Sequence, residues 1–233
     1  MHLSAMENAK LFFDVYGKYF ADGKNLRVVE IGSQDLNGSL RSLAPVGAEY
    51  LGVDFVAGRG VDVILDDPYK LPFPDEYCDI VVCSSVFEHS EFFWLLFEEI
   101  LRILKPTGLF YLNAPSNGHF HRHQVDCWRF YPDAAHALMR WAQRQGYHPA
   151  VLESFVSRQR TNDIWSDFVA IFLKNEAHSE RYVDRIIDRS DQFINGTLHG
   201  HLGFARYSVL SEDQFRLEQI KDVLQSKYLI GTP

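Results

Sequence analysis

The run from Asn113 to Pro132 (Asn113-Ala114-Pro115-Ser116-Asn117-Gly118-His119-Phe120-His121-Arg122-His123-Gln124-Val125-Asp126-Cys127-Trp128-Arg129-Phe130-Tyr131-Pro132) is dense in imidazole, aromatic and guanidinium groups. Imidazole exchanges protons near neutrality, so His121 is the candidate base for an attacking hydroxyl or amine, with Asp126 as the carboxylate that would orient an imidazole. His119, His123, Trp128 and Arg129 are candidate acceptor-binding groups: a stacking wall and a guanidinium able to grip a carboxylate or phosphate. Two other readings stand beside this one. His119, His121 and His123 alternate and could converge on a metal, although alternation carries little weight in an irregular loop. Asp126, Trp128 and Arg129 could equally be structural, an ion pair beneath an aromatic plug.

A second group of candidates lies at the ends of apolar runs. In Glu30-Ile31-Gly32-Ser33, a glycine directly after a strand lets a ligand approach the backbone, because no Cβ intervenes. A helix start just beyond it would offer free N–H groups to an anion. The run lacks GxGxxG, which disfavours a dinucleotide site, and a tight structural turn explains it nearly as well. Asp54, closing Tyr50-Leu51-Gly52-Val53-Asp54, can accept both hydroxyls of a ribose, or simply cap a turn.

These positions require a strand–helix alternation to place them. Residues 6–20 carry Leu11, Phe12, Val15 and Tyr19 at helical spacing, with Asp22-Gly23 as the stop. Strands are expected at 26–31, 48–54, 79–83, 109–114, 147–155 and 167–173, with a short helix at 38–43 and another over 132–145. Between them, Phe93, Leu96, Phe97, Ile100, Leu101 and Leu104 form one wide helical stripe, with Ser90 as N-cap and Pro106 as terminator. Continuous apolar strands such as Asp79–Cys83 are buried on both faces, so the alternation implies an α/β, doubly wound, mostly parallel sheet with helices on both sides. Ligands of such sheets bind beyond the carboxyl ends of the strands.

Composition narrows the class. The 233 residues are 46% hydrophobic and 23% charged, ordinary for a globular domain, and the net charge of −8 supplies no field for nucleic acid. Cys78, Cys83 and Cys127 lack paired zinc spacing, and no metal is expected from them. With neither a basic-then-apolar leader nor an apolar stretch near ~20 residues, the expected location is cytoplasmic, without membrane insertion.

Taken in order, Glu-x-Gly after the first strand, Asp54 after the second, Asp66-Asp67 before Leu71-Pro72-Phe73, then Phe87-Glu88-His89 and Leu104-Lys105-Pro106-Thr107-Gly108 resemble the class I S-adenosylmethionine-dependent methyltransferases, in their small-molecule, type-11-like branch. The resemblance covers roughly residues 25–115. It implies a seven-stranded Rossmann-like sheet and S-adenosyl-L-methionine as cofactor. By position it implies that Glu30 anchors the turn, that Gly32 and Ser33 pass the methionine portion, and that Asp54 holds the ribose. It further implies that Asp67, with Asp66 as fallback, receives the adenine amino group, that Leu71 packs beside the base, and that Ser84 lines the site. Gln34 stands where the family has its second glycine, and the next glycine is delayed to Gly38, so this loop must take its own path.

The 113–132 run also resembles a subgroup with Ala-Pro-Ser-Asn-Gly, His, Val-Asp and Trp-Arg-Phe-Tyr-Pro-Asp in series, met among bacterial cell-surface glycan and natural-product clusters. That implies a small polar acceptor, such as a sugar or pathway intermediate, methylated on a hydroxyl or, less favoured, an amine. A non-catalytic cofactor-binding module and a nucleotide-dependent oxidoreductase or epimerase are the rival readings. Residues 1–174 are expected to form the cofactor domain and 175–233 a helical appendage, with a stripe at Leu217, Ile220, Leu224 and Tyr228, serving as lid, homodimer arm or acceptor wall.

Overall fold

The computed structural model describes residues 2–20, 26–160 and 163–230. In chain order it comprises α1 (Leu3–Tyr16), β1 (Arg27–Ile31), β2 (Glu49–Asp54), β3 (Val63–Ile64), β4 (Cys78–Ser84), α2 (Phe93–Ile103), β5 (Leu104–Pro115), α3 (Ala134–Arg144), β6 (Ala150–Ser157), β7 (Asp167–Leu173), β8 (Phe193–Leu198) and α4 (Glu212–Ile230). The stop expected at Asp22-Gly23 lies outside the described residues.

Eight strands form one sheet in the order β3-β2-β1-β4-β5-β7-β6-β8, one more than the seven expected. The first five in that order run parallel, and β7 enters antiparallel between β5 and β6. Because side chains alternate along a strand, each strand feeds two cores. Val29, Ile31, Val81, Cys83, Phe110 and Leu112 pack with Leu96, Phe97, Ile100 and Leu101 of α2 and with Ala135, Leu138 and Ala142 of α3. Val28, Ile80, Val82, Leu109 and Tyr111 pack on the opposite face with Phe12, Phe13 and Tyr16 of α1.

Two punctuation signals act differently from their sequence reading. Ser90 does not cap α2, which begins after Phe92; the Ser90 carbonyl instead accepts from the Trp128 indole at 3.0 Å. Nor is Pro106 the helix terminator, since β5 already starts at Leu104. The Lys174 ammonium donates to the carbonyls of Arg102 (3.3 Å) and Leu104 (2.5 Å), meeting the free end of the helix with a cation. Lys105, preceding proline, is also biased toward extended backbone.

The stretch after residue 174 is more than a helical appendage. Its Tyr182 and Ile186 enter the α1-side core, and β8 pairs with β6. The anchor is Glu153, fully buried in β6, which accepts from the Tyr16 hydroxyl at 2.6 Å and from the backbone N–H groups of Ile186 (2.7 Å) and Ile187 (3.1 Å). A buried carboxylate with three donors is satisfied, and it fixes a polar segment that has little apolar surface of its own. Downstream, Ser211 and Gln214 form a reciprocal capping box at the start of α4, where the Ser211 hydroxyl accepts from Gln214 N–H and Gln214 Oε1 accepts from Ser211 N–H. The expected stripe is present on that helix at Leu217, Ile220 and Leu224, all exposed; the Tyr228 side chain lies outside the described residues.

Glu30, at the centre of the sheet, accepts from the Tyr50 hydroxyl at 2.8 Å. Burial pushes its carboxyl up to about 7. Between the ordinary carboxyl value near ~4.3 and this raised one, the folded chain holds a proton that the unfolded chain releases, so stability falls as pH rises through that window. Glu30→Gln is expected to flatten this slope by on the order of 1–2 kcal/mol between pH ~5 and ~8. Urea titrations at the two pH values check it, and an unchanged slope would remove Glu30 as its source.

Candidate functional site

The carboxyl ends of β1, β2, β4 and β5 open into one cleft of about 410 Å³, within the range of small-molecule sites. Its floor is built from strand exits. Gly32 follows β1 with φ +74°, and its N–H donates to the Val53 carbonyl at 2.9 Å. A Cβ at that position would stand 2.1 Å from Val86 Cγ2, so the turn requires glycine on both conformational and steric grounds. Asp54, at the end of β2, accepts from the N–H of Gln34 (3.2 Å) and of Val56 (3.1 Å), which aims its carboxylate along the cleft. Ser84 ends β4 and Ser85 follows it in the left-handed region at φ +57°; both hydroxyls are buried and have no protein partner.

The variant loop after Gly32 is held by Asp35. Its carboxylate accepts from Gly38 N–H at 2.9 Å and pairs with Arg59 at 3.0 Å. Gln34 lies against Gly58, where a Cβ would come within 2.7 Å of its amide, and it lines the cleft beside Leu36, Asn37 and Gly38. A glycine at position 34 is therefore unnecessary, because the side chain has space of its own.

Other residues named from the sequence fall elsewhere. Glu30 and Ser33 are buried behind the turn and do not line the cleft, so their part is to hold the floor. Leu71 sits in the core, with its N–H on Glu99 at 2.9 Å and its carbonyl on Arg102 at 2.9 Å. Asp67 accepts from Tyr69 N–H at 2.8 Å, capping its own turn, and Asp66 is exposed; neither lines the cleft. Phe55 does, a half-exposed ring directly after Asp54 that sequence reasoning passed over.

The roof comes from the loop after β5. The Glu88 carbonyl accepts from the N–H groups of Cys127 (2.7 Å) and Trp128 (3.3 Å), pinning that loop to the exit of β4. Asp126, its side chain 1% exposed, pairs with Arg129 at 2.6 Å and accepts from His121 N–H at 2.7 Å. The Arg129 guanidinium also donates to the carbonyls of Trp128 and His119, both at 2.8 Å. Trp128 packs edge-on against Phe93, with centroids 5.3 Å apart, outside the cleft. Asp126, Trp128 and Arg129 are thus the ion pair and aromatic plug of the structural alternative: Arg129 is already engaged, and Asp126 orients the His121 backbone while standing 3.5 Å from its Nδ1.

His121 and His123 line the cleft, and His119 does not, so the three alternating imidazoles do not converge. Among the described residues the set within reach of one cation is instead Glu88, His89 and His121. Trp165 packs against His121, with ring centroids 4.8 Å apart, and His2 stacks on Trp165; both line the cleft and neither is singled out by the sequence. His2 Nε2 lies 3.0 Å from fully buried Asp167; burial works against its charge, yet Asp167 outweighs that and its pKa is raised. Gly118 allows Trp165 into place, since a Cβ there would meet the indole at 2.0 Å. Burial also pushes Glu88 up to about 8.

A parallel sheet with its switch point at β1 and β4, and a cleft over that point, is the arrangement in which doubly wound sheets bind their ligands. Residues 36–112 match a family model described as a methyltransferase domain. An uncharacterized methyltransferase of Mycolicibacterium paratuberculosis is 33% identical over 121 residues, 52% of this chain and 43% of its own length. One from Mycobacterium marinum is 40% identical over 121 residues, 47% of each. The match spans less than half the length of either relative. The solved 1,6-didemethyltoxoflavin-N1-methyltransferase of Burkholderia thailandensis superposes with a TM-score of 0.52 at 16% identity, over 74% of this chain and 79% of that one, a likeness of fold. Over residues 36–112 the chain is similar to the methyltransferase domain family, for which the resemblance noted in the sequence implies S-adenosylmethionine as cofactor.

The residues present fit that family's cofactor. Asp54 offers a positioned carboxylate, Ser84 and Ser85 offer unpartnered buried hydroxyls, and the Gly32 turn presents bare backbone. No described helix is long and apolar enough to cross a membrane.

Two outcomes are expected from this geometry. Asp54→Ala is expected to weaken S-adenosylhomocysteine binding at least ~10-fold in calorimetry, the loss of about 1.4 kcal/mol of charge-assisted hydrogen bonding; unchanged affinity in a folded variant would remove Asp54 from the candidate site. Arg129→Ala strands a buried carboxylate and is expected to cost roughly 3–5 kcal/mol in denaturant unfolding. In the unmodified chain the Arg129 guanidinium, chiefly by hydrogen bonding, holds Asp126 down at about 2. This contribution is therefore complete above pH ~4 and lost as pH falls toward ~2.

Proposed function

We propose that this protein transfers the methyl group of S-adenosylmethionine to a hydroxyl of a small polar acceptor, a sugar or a glycan or natural-product intermediate. The observation that carries the reading is the roof loop, which sets His121 over a cleft whose floor carries Asp54, Ser84 and Ser85. The cofactor supplies an already activated methyl on a sulfonium, so the protein's task is alignment more than bond activation. Asp54 holds the ribose, Phe55 stacks on the base, and Gly32 with Ser84 borders the methionine portion. Phe55, rather than core-bound Leu71, is favoured for the base because its ring is accessible from the cleft.

His121 is assigned to the acceptor oxygen. Its ring nitrogen Nδ1 has only long contacts, at 3.4–3.5 Å, and the residue lines the cleft. An imidazole at this point supports oxygen over nitrogen as the nucleophile, since a hydroxyl must lose its proton as it is methylated whereas a neutral amine attacks unaided. His123 at the rim and Trp165 in the wall offer a polar edge and an aromatic face, a combination suited to a sugar ring. The helix α4 extends this site. Asp213 near its start accepts from Asn117 (2.7 Å) and Gln159 (3.0 Å), so the tail touches the root of the roof loop, which supports reading it as an acceptor wall.

A screen with methyl-labelled cofactor against nucleotide sugars and cell-envelope extracts tests the reading directly. Label is expected in a hydroxyl-bearing acceptor, and label only in amine-bearing products would turn the assignment to nitrogen. His121→Ala is expected to lower kcat at least ~10-fold with less than ~3-fold change in cofactor affinity. Equal loss in both would make His121 a structural residue.

A further inference from the structure

Glu88 is the least accounted-for polar group in the cleft. It is 1% exposed, it lines the cleft, and its Oε2 has no hydrogen-bond partner. A carboxyl taken out of water without a partner costs free energy, so the site is chemically incomplete at this oxygen. Next to it, His89 Nδ1 lies 2.6 Å from the Val125 carbonyl. A carbonyl only accepts, so Nδ1 carries the proton and Nε2 keeps its lone pair, 3.8 Å from Glu88 Oε1. A backbone carbonyl on one ring nitrogen and a bare lone pair on the other is how metal-bound histidines are oriented. His121 completes the group, its ring 5.0 Å from that of His89 and its backbone clamped by Asp126. One donor atom from each of the three residues lies within 4.8 Å of the other two.

We propose that Glu88, His89 and His121 bind a divalent first-row transition-metal ion, with open coordination positions facing the cleft. The donor set selects the class of ion: two imidazoles and one carboxylate suit zinc, manganese, iron or cobalt, whereas magnesium and calcium favour all-oxygen shells. Three protein ligands with a position left open is the pattern of catalytic sites rather than structural ones. Ligand bonds of about 2.0–2.2 Å require the three donors to close in, which the partly exposed His121 allows by rotating about its side-chain bonds. The Glu88 carboxylate offsets one of the two positive charges. The remaining charge suits an acceptor oxygen that gives up its proton to water in the open cleft while it attacks the methyl carbon. The inference rests on the methyl-transfer reading for the use of the ion, though not for its binding. It recasts His121 as a ligand whenever the ion is present.

The test is metal binding itself. Chelator-stripped full-length protein is titrated with Co²⁺, followed by visible d–d absorption, and with Zn²⁺ by calorimetry. One ion per chain is expected, with affinity lowered at least ~10-fold in Glu88→Gln and in His121→Ala, and unchanged in His119→Ala and His123→Ala. Circular dichroism of each variant controls for folding, and if buried Glu88→Gln does not fold, His121→Ala carries the comparison. The proposal is overturned if the unmodified chain binds no more ion than the Glu88→Gln/His121→Ala double variant. Losses in His119→Ala or His123→Ala equal to that in His121→Ala overturn it as well. S-adenosylhomocysteine titration separates the two readings: a chain that binds the ion but not this ligand keeps the metal site and loses the methyl-transfer reading, and the reverse result does the opposite.

Discussion

The carbonyl of Glu88 accepts two backbone hydrogen bonds, from Cys127 and Trp128, and the site depends on them. They fasten the long excursion after β5 onto the exit of β4, one strand away in the sheet. The same loop is also held by the Val125 carbonyl on His89, the Trp128 indole on the Ser90 carbonyl and Phe130 N–H on the Pro115 carbonyl. With these contacts in place, Asp126 is buried, Arg129 closes on Asp126, and His121 is carried over the floor. One residue therefore uses its backbone to hold the roof and its side chain to line the cleft beneath it.

The floor follows a different logic. Parallel strands end together, so β1, β2 and β4 present Gly32, Asp54 and Ser84 along one edge. What distinguishes this chain is how the variant loop is satisfied. Asp35 takes over the work of organising it through Gly38 and Arg59, which leaves Gln34 free to border the cleft. The antiparallel side of the sheet carries a second such device in Glu153, whose three donors bind the segment after residue 174 to the core. In both places a buried or half-buried carboxylate substitutes for apolar area, a solution that is stable only because every donor is present.

How much was legible in the sequence varies with the range of the interaction. The strand at 79–83 and the stripe from Phe93 to Leu101 were legible because periodicity is local and burial on both faces is written as continuous apolarity. Ser90 and Pro106 misled as punctuation: the Ser90 carbonyl is taken by Trp128 and the carbonyls at the end of α2 meet Lys174, both distant in the chain. Phe55 and Trp165 passed unremarked, for an aromatic residue in a sequence does not declare whether it faces a core or a cleft. His2 was similarly silent, as its partner Asp167 lies 165 residues away.

The sequence by itself determined the alternation of strands and helices, the glycine turn at Gly32, and the acid at Asp54, because each depends on neighbours within a few residues. It also determined which loop would carry the histidines. Tertiary structure alone decided which of those histidines meet. The donor atoms of His121 fall within reach of those of Glu88 and His89, rather than forming a set with His119 and His123, because backbone hydrogen bonds to Glu88 help fix the loop's path and side-chain alternation has no force in an irregular segment. It likewise decided that Arg129 is spent on Asp126 and that residues beyond 174 supply an eighth strand, since pairing across long separations is set by what remains unsatisfied once the local elements have formed.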